Sequence, residues 1–99
     1  MLYAIFAEDV PDSASLRATA RPAHMQRLQD LVKVGRLVIA GPHPAIDSPD
    51  PGPAGFSGSL IVAEFASLAA AREWAEADPF VAAGAYANVL VKPFRQVLP

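Results

Sequence analysis

The sequence contains no cysteine. That excludes a disulfide framework, thiolate metal ligation and a cysteine nucleophile. Basic residues are few and scattered: six Arg and two Lys against ten acids, for a net charge of −2. Without a basic patch, nucleic acid is not an expected partner. No apolar run is long enough to span a bilayer, and no basic segment leads into a long apolar stretch near Met1. A protein of the cytoplasm, away from the membrane, is therefore the expectation. Histidine occurs only twice, at His24 and His43, on separate segments. With no cysteine this is a poor set of metal ligands, so no metal site is expected.

What the sequence does have is apolar surface and proline. Hydrophobic residues make up 53 % of the 99 residues, charged ones only 18 %, and there are ten prolines. A chain this short forms one domain, over residues 1–99, and buries roughly 60–70 % of its unfolded surface. The excess apolar surface points to self-association, with a homodimer as the simplest partner.

Leu2-Tyr3-Ala4-Ile5-Phe6-Ala7 reads as a strand that is apolar on both faces. A half-exposed strand would alternate apolar with polar, so this one should be covered on each side. Asp12-Ser13 is placed to cap a short helical turn over 14–17. Pro22 then fits the first position of the main helix, with Arg21 as N-cap and His24 as the third helical residue. That helix should run to Val34 and stop at Gly35. Its apolar stripe holds Met25, Leu28, Leu31 and Val32, and His24 falls within it.

Arg36 to Gly41 reads as the second strand. Five prolines and two glycines between Pro42 and Gly55 predict a loop with neither helix nor ladder. Phe56 to Phe65 is the third strand. Ser67 caps a second helix over 68–77, and Asp78 before Pro79 caps a short turn ending near Gly84. Tyr86 to Val91 is the fourth strand, interrupted by Lys92-Pro93 and resumed over 94–98 as an edge or exchanged segment. The order β-α-β-β-α-β predicts an α+β, ferredoxin-like fold: a four-stranded antiparallel sheet with two helices on one face. The other face is bare in one subunit, and two such sheets packed together would form a dimeric α+β barrel.

Several stretches together resemble the YciI family from end to end. They include Leu2-Tyr3-Ala4-Ile5-Phe6, Arg21-Pro22-Ala23-His24, Gly35-Arg36-Leu37 and Ala40-Gly41-Pro42. They continue through Gly55-Phe56-Ser57-Gly58-Ser59, Ala77-Asp78-Pro79-Phe80 and Val91-Lys92-Pro93-Phe94. The resemblance implies a dimeric barrel of ferredoxin-like subunits and an active site built on a histidine and an aspartate, which match His24 and Asp78. One branch of the family resembles enzymes that remove chloride from chlorinated hydroxyquinols.

Such a pair suits general acid–base catalysis on a small organic molecule without a cofactor, in a lyase, isomerase or hydrolase type of reaction. The helix N-terminus placed at His24 would oppose a second positive charge there, while Asp78 would favour it. Asp78 also has an ordinary role as helix N-cap; one carboxylate can fill both roles. Arg21, Gly41, Pro42 and Phe80 are the candidate substrate-binding residues. Arg17 and Arg21 either offer charge to an anionic substrate or are simply solvated. His43 reads as loop surface or dimer contact, Trp74 as core, and Tyr3 and Tyr86 as packing residues able to lend a hydroxyl. Ser57 and Ser59 do not form a nucleophile elbow. The competing function is a non-catalytic small-molecule-binding or accessory module, and a third reading is a purely structural partner whose pocket is filled by side chains.

Overall fold

The computed structural model describes all 99 residues, Met1–Pro99. Strand β1 (Leu2–Asp9) leads into a long helix α1 (Ala14–Lys33), followed by β2 (Leu37–Pro44), β3 (Phe56–Glu64), α2 (Leu68–Glu76), the short α3 (Pro79–Ala82) and β4 (Tyr86–Phe94). The four strands form one antiparallel sheet in the order β2-β3-β1-β4. This is the ferredoxin-like α+β fold expected from the element order.

The period-2 alternation of β1 sorts its residues between two environments. Tyr3, Ile5 and Ala7 are buried against the helices, in register with Ala63, Ile61 and Ser59 of β3. The main core joins Tyr3, Ile5, Ile61, Ala63 and Val91 of the sheet to Leu28 and Leu31 of α1 and to Ala71 and Ala75 of α2. A smaller cluster of Ala20, Phe80 and Ala85 ties the first half of α1 to α3. The opposite face of β1, with Leu2, Ala4 and Phe6, is left without a covering layer.

Helix α1 is the main departure from the sequence reading. It starts at Ala14, so Pro22 lies inside it, Arg21 is not an N-cap, and His24 sits more than two turns in from its start. Proline is favoured at a helix start but does not require one. The 14–21 segment is rich in Ala and other adequate helix formers, and it buries Ala20 against Phe80. Pro22 is exposed, as is Ala18, whose carbonyl loses the missing N–H, so that carbonyl can turn to water. The helix ends as expected. Gly35 takes φ +70°, its N–H donates to the Val32 carbonyl, and the Arg36 N–H donates to Leu31, a Schellman closure.

Three of the prolines expected to interrupt strands lie within them. Pro42-His43-Pro44 continues β2, in register with Ser59, Gly58 and Phe56, and β4 runs through Pro93 to Phe94. Both are edge strands, where a residue without an N–H can face solvent without breaking a ladder. Between β2 and β3 only Gly52–Ala54 form a 3₁₀ turn. Residues 95–99 form no strand.

Candidate active site

Asp78 is fixed first by local sequence. Pro79 forces extended backbone at position 78 (φ −60°, ψ 132°), and the Asp78 carboxylate accepts the Phe80 N–H at 2.9 Å as N-cap of α3. The same carboxylate meets His24 of α1: Nδ1 lies 2.9 Å from both Oδ1 and Oδ2. Capping and pairing therefore coexist. Both groups are buried, at 7 % exposure for His24 and 3 % for Asp78. The imidazole is stacked on the Phe80 ring, with centroids 4.0 Å apart and planes 14° apart. With Nδ1–H donating to Asp78, the Nε2 lone pair is the free end of the ring. The opposing influence of a helix N-terminus does not apply, because His24 lies mid-helix and the effect fades within the first turn.

An arginine approaches the carboxylate from behind. Arg27 Nη1 is 4.0 Å from Asp78 Oδ2, while Nη2 donates to the Trp74 carbonyl at 2.7 Å and the guanidinium lies over the Trp74 ring. Nη1 is buried without a hydrogen-bond partner. Burial pushes the Arg27 pKa down, and the Asp78 charge partly restores it.

His24 borders a cavity of about 330 Å³ between α1 and the β2 edge of the sheet. From α1 it is lined by Arg17, Arg21, Met25, Leu28, Gln29 and Val32. From β2 come Leu37, Ala40, Gly41 and Pro42, and from β3 and α3 come Ser59, Ile61 and Phe80. The cavity exists because β2 offers small residues here. Ala40 and Pro42 pair with Ile61 and Ser59 on the helix-facing side, and neither side chain reaches across to α1; Gly41, whose Cβ position faces the other side of the sheet, borders the cavity with its backbone. Arg21, Gly41, Pro42 and Phe80, singled out from sequence, all border it. Phe80, only 1 % exposed, serves mainly to support the imidazole. His43 is instead part of β2 on the far face of the sheet, against Phe6.

Sequence reasoning missed the cluster around Arg17, which packs on the same Phe80 ring as His24. Arg17 is not solvated: its side chain is 11 % exposed and forms a bidentate pair with Asp9, Nε to Oδ2 at 2.6 Å and Nη2 to Oδ1 at 3.0 Å. Nη2 also donates to the Gly58 carbonyl at 2.7 Å and to Ser59 Oγ at 3.0 Å. Ser13, the residue before α1, makes no capping bond; its hydroxyl donates to Asp9 Oδ2 at 2.5 Å. Gly58 is required here, since a Cβ would overlap the Ala7 carbonyl oxygen. The available signal was spacing: on a helix starting at Ala14, Arg17 lies one heptad before His24 and so shares its face.

Tyr86 packs against this cluster, beside Arg17 and Phe80. Its ring meets Phe80 edge-on, and its hydroxyl is buried without a bonded partner. Burial pushes the phenol pKa up to about 12. The nearby Ser59 hydroxyl and Arg17 charge lower it somewhat, and Asp78 and Asp9 add to the rise. No group of three or more His, Asp or Glu is arranged to hold a metal, and no helix is long and apolar enough to cross a membrane.

The chain has known relatives in sequence and in fold. Protein YciI of Escherichia coli O6:H1 is 60 % identical over 97 residues, covering 98 % of this chain and 99 % of the relative. An uncharacterized protein of Haemophilus influenzae is 50 % identical over the same span. Among solved structures, 5-chloro-2-hydroxyhydroquinone dehydrochlorinase (TftG) from Burkholderia phenoliruptrix, in complex with 2,5-dihydroxybenzoquinone, superposes with a TM-score of 0.82 at 28 % identity. That match covers 96 % of this chain and 94 % of the other. The YCII-related domain matches residues 1–95, and the chain belongs to that family.

Proposed function

We propose that this protein is a small enzyme, working as a homodimer without a cofactor, in which His24 is a general acid–base group oriented by Asp78. The observation that carries the reading is the buried Nδ1–carboxylate contact at 2.9 Å, which leaves Nε2 as the free nitrogen of a ring bordering the cavity. A carboxylate in that position holds the tautomer and stabilises the imidazolium that forms when Nε2 takes a proton. The cavity suits a one-ring molecule: Met25, Leu28 and Ile61 give it apolar wall, and His24, Arg17, Arg21 and Ser59 give it polar groups. The likeness to a dehydrochlorinase acting on a chlorinated hydroxyhydroquinone supports an oxygenated ring as the substrate class. In such a ring, proton transfer at carbon or oxygen interconverts phenol and keto forms. His24 would take the proton from one atom and return it to another.

The test uses 2,5-dihydroxybenzoquinone in D₂O and follows exchange of its ring C–H hydrogens by proton NMR. The protein should accelerate exchange over buffer. His24→Asn should remove the acceleration, and Asp78→Asn should reduce it by on the order of 10²-fold while keeping the Phe80 cap. Binding of the quinone with no acceleration by the wild-type protein would favour a binding module instead.

A further inference from the structure

The cavity has further polar groups, packed with His24 around the Phe80 ring, that the acid–base reading leaves unused. We infer that Arg17 Nη1 and the Ser59 hydroxyl form a subsite for one anionic oxygen, the enolate or phenolate oxygen of a one-ring substrate. The inference deepens the reading of His24 and rests on it for the placement of the ring.

Charge is the first support. In a chain of net charge −2, the residues lining the cavity include two arginines and no aspartate or glutamate. Asp9 and Asp78 both lie behind the wall, holding Arg17 and His24 in place. The cavity therefore presents positive and donor groups to whatever enters it.

The second support is what remains unbonded. Arg17 spends Nε and Nη2 on Asp9, Gly58 and Ser59, whereas Nη1 has no partner in the protein. Ser59 is 4 % exposed; its Oγ accepts from Arg17, and its own proton has no acceptor in bonding geometry. The Tyr86 hydroxyl, close enough to Ser59 for that group to lower its pKa, makes no hydrogen bond in this geometry. Two donors held on a rigid frame thus border the same space as His24.

The arrangement also selects the kind of anion. A carboxylate is best held by two parallel N–H groups on one edge of a guanidinium. Of the two such edges of Arg17, Nε with Nη2 holds Asp9, and Nη2 is also spent on Gly58 and Ser59, so the Nη1–Nη2 edge lacks its second donor. One terminal nitrogen and one hydroxyl remain, which suits a single charged oxygen. Such an oxygen is what a ring acquires when a base removes its proton, so the subsite would stabilise the product of His24 action.

Calorimetric titration at pH 7 tests this with two probes: 2,5-dihydroxybenzoquinone, an ionised vinylogous acid, and its neutral 2,5-dimethoxy ether. The wild-type protein should bind the anion more tightly, on the order of tenfold or more. Ser59→Ala, which removes one oxygen from a strand residue, should reduce that preference severalfold. The Asp9→Asn, Arg17→Gln pair removes both buried charges together and should bring the preference close to one. Equal affinities in the wild type would overturn the subsite, as would a wild-type preference retained in Ser59→Ala and the paired variant. His24→Asn separates the two readings: exchange and preference both intact would remove the acid–base role and leave the subsite standing.

Discussion

The hydroxyl of Tyr86 is buried beside Phe80 and Ser59 with no hydrogen-bond partner, and an unmade bond of that kind costs about 1–3 kcal/mol. Tyr86→Phe deletes the unsatisfied group and keeps the ring that packs edge-on against Phe80. At neutral pH the variant should match or exceed wild-type stability, within about 1 kcal/mol in urea unfolding. The sign at high pH follows from the raised pKa. The unfolded phenol titrates near 10 and the folded one near 12, so between those values the unfolded chain has lost a proton that the folded chain keeps. Stability from this group is complete below pH 10 and falls as pH rises towards 12. Tyr86→Phe should flatten that alkaline fall, and an unchanged slope in pH-dependent melts would show that another group drives it. Tyr86 was placed on a strand from sequence alone, but its isolation depends on Ser59 and Arg17, which meet it only through the folded register. Asp78 shows the opposite situation. Its N-cap role was legible from Asp-Pro, because both residues act within one turn of chain.

At the scale of elements, Pro22 occupies the interior of α1 and removes the N–H that would meet the Ala18 carbonyl. An interior proline costs ~3 kcal/mol, less where the freed carbonyl reaches water. Pro22→Ala should therefore stabilise the protein by about 1–3 kcal/mol, read from thermal or urea unfolding. No gain would mean that the proline relieves strain elsewhere in the helix. The same residue explains why the helix start was misread. A proline at N1 and a proline tolerated on an exposed face look alike in a single sequence. What separates them is the packing of Ala20 on Phe80, a contact between residues 60 apart in the chain. A start at Pro22 also leaves Arg17 outside the main helix and hides its place on the His24 face. The prolines of β2 and β4 were misread for a related reason. Only strand order reveals which strands are edges, and the order β2-β3-β1-β4 follows from crossovers rather than from local pattern. That β1 is apolar on both faces needed no such knowledge, and the face left for a second layer is open in the fold.

For the whole molecule, that open face carries the argument for two subunits. The helices α1, α2 and α3 all cover one side of the sheet. On the other side Phe6 pairs in register with Leu60 and Leu90, Ala4 with Val62, and Leu2 with Phe94, so their side chains form one continuous apolar surface. Phe6, Leu90, Ile39 and Phe94 are 42, 49, 54 and 40 % exposed, which is the condition of a core lacking its second layer. Contiguous apolar patches of more than a few hundred Å² are rare on monomers. A twofold-related copy presents the same patch and closes it without leaving a further edge. Polar residues on this face, Glu8, Asn88, Glu64 and Lys92, lie towards the strand ends or beside a small residue and would sit near the rim. Light scattering at micromolar concentration should give twice the chain mass. Leu90→Lys places a charge in the middle of the patch and should shift the protein to monomer. The His24 cavity lies on the helix side of the sheet, so the variant should keep its fold by circular dichroism and its affinity for 2,5-dihydroxybenzoquinone. A stable wild-type monomer would refute the dimer. A Leu90→Lys protein that stays dimeric would place the contact on another surface, where the exposed Val32 and Val34 at the end of α1 are the next apolar candidates.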